Sequence, residues 1–172
     1  MASITRQVVI PQTDKKHYIT GIYALNVIPP EDTSGDWHGS VFYWRDPVER
    51  PARLSIAGRG TFTSTTPIFG DMGVYEGRER LIGKGLVIQP DIKEVWIANH
   101  SRAILDMLYE SLTTYNAVYN LNGATEDWLD TLEQKEFVLS QAKRLTPVLT
   151  DRQRDALNKW IEYEESHTTF SS

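Results

Sequence analysis

The chain reads as an α+β protein: a mostly antiparallel β-sheet or small curled barrel in the N-terminal half, then three or four C-terminal helices. Three observations predict this. Up to about residue 98, short runs rich in β-branched and aromatic residues alternate with Gly, Pro and Asp turns. Beyond it, Ile104, Met107, Leu108 and Leu112 recur at the spacing of one apolar helix stripe. A capping box, Thr150-Asp151-Arg152-Gln153, opens a last helix. With 172 residues the expectation is one domain, β-rich over residues 1–98, helical over residues 99–166 and ending in a flexible tail at residues 167–172.

The first run, Val8-Val9-Ile10, reads as an edge strand ending at Pro11, and residues 17–28 as a long strand with Gly21 as a bulge or a point of close approach. Pro29-Pro30 cannot donate to a ladder, so pairing stops or sits at an edge there. Thr33-Ser34-Gly35-Asp36 is turn chemistry, and residues 40–44 return as a strand. Residues 52–56 alternate, with Leu54 and Ile56 on one face. Gly58-Arg59-Gly60 lacks a following Gly-Lys-Ser/Thr and a helix, so it reads as a turn before the threonine-rich run 61–66 and not as a phosphate loop. Residues 81–88 suggest a strand interrupted by glycines, and residues 94–98 the last strand. Asn99 or Ser101 caps the first long helix, and Thr125 is placed as the cap of a second. Leu145-Thr146-Pro147 stops the helix before the Thr150 box.

Composition sets limits on function. Without cysteine there is no disulfide, thiolate zinc site or cysteine nucleophile, and an intracellular origin is favoured. No secretory leader pattern opens the chain, and no apolar run approaches the roughly 18 residues of a membrane span, so a cytoplasmic protein is expected. Charge is uneven. Residues 41–90 hold seven basic and five acidic groups; residues 91–172 hold eight basic and fourteen acidic. Such a balance argues against nonspecific duplex binding, which needs many phosphate contacts, and suits docking against a protein more basic than this chain.

Chemistry has few places to sit. Asp36 and His38, two residues apart, would share a face of a strand as an acid–base pair, with His100 as a second titratable group and Asp106 able to converge on them in space. The plainer reading has His38 bonding a turn carbonyl, Asp36 capping the turn, and Trp37 anchoring it by burial. Neither a Gly-x-Ser-x-Gly elbow nor a His-Glu-x-x-His zinc motif is present, and no metal or cofactor is expected. Arg45, Arg59, Arg78 and Arg80 of the basic middle, with Trp37 and His38, are the candidate binding residues; among neighbouring aromatics, the arginines could hold phosphate or stacked bases.

Two stretches carry a resemblance. Residues 21–26, Gly-Ile-Tyr-Ala-Leu-Asn, followed by Thr33-Ser34-Gly35-Asp36-Trp37-His38, resemble a turn motif of uncharacterised bacterial proteins. Residues 98–106, from Ala98-Asn99-His100 through Arg102 to Asp106, resemble a segment of antitoxins from bacterial abortive-infection toxin–antitoxin systems. That resemblance implies a non-catalytic protein that neutralises a partner. The winged-helix DNA-binding domain usual in those antitoxins has no counterpart here, so the resemblance does not extend to autoregulation. The first expectation is therefore a non-enzymatic interaction module. Its alternatives are a small enzyme on a nucleotide or RNA using Asp36 and His38, and an RNA-binding module using the arginines.

Overall fold

The computed structural model describes residues 5–34, 44–47, 54–60 and 62–169. It corrects the expected fold class, since among the described residues helix dominates and each strand is three residues long. β1 (Thr5–Gln7) pairs antiparallel with β2 (Arg45–Pro47), and β3 (Val74–Glu76) with β4 (Trp96–Ala98). Single bridges from Ile19 to Ile56 and to Ile97 place residues 18–20 between 55–57 and β4. No barrel or broad sheet forms among the described residues.

The long strand expected over 17–28 ends after Thr20. Gly21 takes φ +67°, and a Cβ there would sit 3.3 Å from Ser55, so the chain reverses where only glycine is unstrained. α1 (Gly21–Leu25) follows and buries Tyr23, Ala24 and Leu25 consecutively, which a half-buried strand of period two cannot do. Its aromatic and aliphatic content suggested a strand, but tertiary burial decided otherwise. α2 (Thr66–Phe69) starts at the last residue of the threonine run, with Pro67 in its first turn. The glycine-interrupted run of 81–88 begins inside α3 (Arg78–Gly83), and Gly85 at φ +104° turns the chain after it.

The helical half agrees better with its sequence. α4 (His100–Tyr115) is capped by Asn99, whose side chain accepts from Arg102 N at 2.9 Å. Gly73, at φ +75°, lies against that cap, where a Cβ would fall 2.5 Å from Asn99 Oδ1. The expected Thr125 cap is corrected: α5 (Ala124–Asp127) starts from Gly123, and a second capping box, Thr131 with Gln134, opens α6 (Leu132–Ala142). A 3-10 segment, Lys143–Val148, contains Pro147, and the Thr150 box opens α7 (Asp151–Ser166) as expected.

α4 packs against α1, β4, α6 and α7 and so belongs to two cores. Ala103 joins the cluster that includes Tyr18, Ile19, Trp44 and Ile97; Ile104, Leu108 and Leu112 join the one with Leu139, Leu157 and Trp160. Buried Glu164 fixes α7 to α5, accepting from Gly123 N, Thr125 N and Thr125 Oγ1 at 2.8–3.0 Å and so serving donors a helix start leaves open. Glu126 accepts from buried Lys135 and, beyond α7, from Thr169 N and Oγ1.

Burial pushes the Glu126 pKa up, but the bonds from Lys135 and Thr169 outweigh it and hold the carboxyl at about 2. With its folded pKa below the unfolded one, Glu126 contributes stability above about pH 4.5 that is lost as pH falls toward 2. Unfolding midpoints should fall over that window, and Glu126→Gln should flatten the fall while lowering stability at neutral pH.

Candidate functional site

Two constellations stand out, one sealed and one open. The sealed one centres on Arg102 and Asp106, one turn apart on α4, both 0% exposed, with Nε 3.1 Å from Oδ1. Asp106 also accepts from Tyr18 Oη at 2.7 Å, Thr20 Oγ1 at 2.8 Å and Thr65 Oγ1 at 2.5 Å. Tyr18 and Thr20 reach the same oxygen because alternate residues of an extended segment share a face. Thr65 Oγ1 in turn accepts from Arg102 Nε, which leaves its own proton for Asp106. Arg102 Nη1 donates to the Met72 carbonyl at 2.7 Å, and the guanidinium lies between the rings of Tyr18 and Phe69. Burial raises the Asp106 pKa against the Arg102 charge and the three hydroxyls. Burial also raises the Tyr18 pKa, and the Asp106 charge adds to the rise.

The carboxylate and the hydroxyls around it are consumed by one another, while buried Arg102 Nη2 has no hydrogen-bond partner among the described residues. Nothing here is placed to exchange a proton with a substrate, because every atom of the carboxylate and the ring hydroxyl is out of solvent and engaged. His100 is similarly placed. It is buried, Nε2 lies 2.9 Å from the Val27 carbonyl, and Nδ1 has no partner of hydrogen-bond geometry among the described residues. Burial lowers its pKa, opposed by the Val27 and Trp128 carbonyls and the carboxylates of Glu31 and Asp130. The ring is a neutral packing group, not an exposed base.

Asp36, Trp37 and His38 lie outside the described residues. Their flanks are anchored: Ser34 donates from N and Oγ to Asp130, and buried Trp44 donates to Asn26 Oδ1 and meets Tyr23 edge-on. The arginines of the middle go to separate loops. Arg59 donates to the Gln12 carbonyl, Arg78 to that of Ile92 and Arg80 to that of Ile28; Arg45 lies exposed in β2. Arg59, Arg78 and Arg80 thus each spend a donor on the backbone of a different loop.

The open constellation was missed from sequence. A groove of about 250 Å³ runs between α1, α4 and the loop after α4, walled by Ile22, Phe62, Tyr115, Tyr119 and Trp128 over Met107 and Leu121. Tyr115 and Tyr119 pack edge to face at 5.3 Å and are 59% and 57% exposed. Asn116 and Asn120, each at left-handed φ, fold the loop back, and Ser111 Oγ holds it by donating to the Ala117 carbonyl and accepting from Tyr119 N. The repeated Tyr-Asn of Tyr115-Asn116 and Tyr119-Asn120 was the legible signal, because asparagine tolerates that backbone. Glu110 fixes the opposite wall, accepting from Thr63 N at 2.8 Å next to Phe62. Exposed tyrosines around an apolar floor suit contact with a side chain of another molecule.

In comparisons with known proteins, no family model, curated protein or solved structure matches the chain. Among the described residues no helix is long and apolar enough to cross a membrane, and no group of three or more His, Asp or Glu side chains is placed to hold a metal ion.

Removing one member of the buried pair strands the other charge. Asp106→Asn should cost about 3–5 kcal/mol in denaturant unfolding, whereas Arg102→Met with Asp106→Leu should cost less than the two single changes combined. For His100 the folded pKa lies below the ordinary 6.5, so the unfolded chain binds the proton first and stability falls as pH drops below about 6.5. His100→Gln, which keeps a donor for Val27, should flatten that part of the melting-temperature profile.

Proposed function

We propose that this chain is a non-enzymatic interaction protein of the bacterial cytoplasm that neutralises a basic protein partner, as an antitoxin does. The observation that carries this reading is the contrast between its two constellations. The acid, base and cation groups of the Arg102 centre and His100 are buried away from solvent, while the rings of Tyr115 and Tyr119 stand open beside an apolar floor. Tyrosine gives large contact area for few rotatable bonds, a composition enriched where proteins meet. The acidic balance of residues 91–172 favours a partner of opposite charge. The resemblance of residues 98–106 to antitoxin segments supports the same reading, and in this chain that segment supplies the buried frame of the α4 N-terminus.

Co-expression tests it. The product of the gene adjacent to this one should slow growth when expressed alone, be more basic than this chain, and co-purify with it in fixed stoichiometry as growth recovers. If growth is unaffected, or is not restored while both proteins are soluble, the neutralising role is wrong.

A further inference from the structure

We propose that the groove between α1, α4 and the 115–121 loop takes an arginine side chain from the basic partner. This rests on the reading above and says what the surface recognises. Four rings, those of Phe62, Tyr115, Tyr119 and Trp128, face one space, and among the described residues lining it Glu110 alone is charged. Aromatic faces carry negative potential and attract a cation laid against them. A guanidinium also stacks as a flat group and brings an apolar stem, which matches a floor of Met107 and Leu121.

The carboxylate is already positioned for this. Glu110 Oε2 accepts from Thr63 N and Oε1 from Thr114 Oγ1 at 3.2 Å, so its rotamer is fixed, while each oxygen keeps a further lone pair for an incoming donor. The carbonyl end of α4 lies at the same groove, since Tyr115 is its last residue, and adds negative potential there. An acidic or phosphate-bearing ligand would meet the carboxylate and the helix end, both of the wrong sign. At about 250 Å³ the space suits one long side chain better than a nucleotide or a folded cofactor.

The probe is a capped Gly-Arg-Gly peptide, titrated into the full chain while the indole and amide signals of Trp128, Tyr115 and Tyr119 are followed by NMR. Its citrulline counterpart, neutral and nearly the same shape, is the control. The arginine peptide should bind more tightly by about two- to fivefold, the increment of a cation–π contact at a partly exposed site. Glu110→Gln keeps an acceptor for Thr63 N, and Tyr119→Leu keeps apolar bulk. Both should leave the melting curve near that of the parent and remove the preference for arginine. Equal binding of the two peptides, tighter binding of a leucine peptide, shifts confined to other surfaces, no binding at millimolar peptide, or self-association of the chain through these signals would each overturn the proposal. If the basic protein still binds both variants with unchanged affinity, it docks elsewhere and only this inference falls. If the peptide binds as expected but the neighbouring protein does not, the neutralising role fails and the groove's chemistry stands.

Discussion

The buried pair of Arg102 and Asp106 constrains more of this molecule than any other contact. A charged pair out of water contributes little net stability over an apolar pair of the same size, so its effect lies in what it demands of its surroundings. The partners it does find come from three separate segments: Tyr18 and Thr20, Thr65, and the Met72 carbonyl. For Tyr18 and Thr20 to meet one carboxylate oxygen, residues 18–20 must be extended and face α4. That orientation leaves Ile19 to bridge Ile56 and Ile97, so the short strand-like layer is registered on the helix through the pair.

The same ridge of α4 builds the groove. Arg102, Asp106 and Glu110 follow at intervals of four and form one row along the helix. Thr65 is tied to the first two and Thr63 to the third, so residues 62–65 are laced along α4 at successive turns. Phe62 is thereby held at the groove wall by a polar contact, and Gly21 allows Ser55 and Phe62 to approach α1 closely enough to complete it. The site and the buried frame are two stretches of one row. One is sealed because hydroxyls converge on it, and the other is open because the chain turns away after Tyr115.

How legible this was in the sequence depended on whether the signal was local. The stripe of Ile104, Leu108 and Leu112, the Asn99 cap and the Thr150 capping box all act within a few residues, and each appears where its spacing places it. The long strand expected over residues 17–28 failed beyond Thr20 for the opposite reason. Its β-branched and aromatic content suited a strand, but a positive φ at Gly21 and the burial of three consecutive residues in α1 are tertiary outcomes. The Arg102–Asp106 spacing was in plain view within residues 98–106, yet nothing local told that both ends would be buried. The groove needed contacts between residues 22, 62, 107, 119 and 128, which no window of sequence joins.

Formal charge also changes meaning once the fold is known. The acidic excess of residues 91–172 counts Asp106, Glu126 and Glu164, yet Asp106 is matched to Arg102, Glu126 to Lys135 and Thr169, and Glu164 to backbone at the start of α5. These carboxylates are engaged within the protein and add little to what a partner meets. Glu133, Glu136, Glu162 and Glu165 lie exposed on α6 and α7, with Lys143, Arg144 and Lys159 exposed among them. The helical surface is thus a mixed field with a modest negative bias, able to speed encounter with a basic protein but poor at choosing among such proteins. Choice requires a shaped, partly desolvated contact, where a wrong group leaves charge or apolar surface unmatched. Among the described surfaces, the aromatic groove with its single fixed carboxylate has that form.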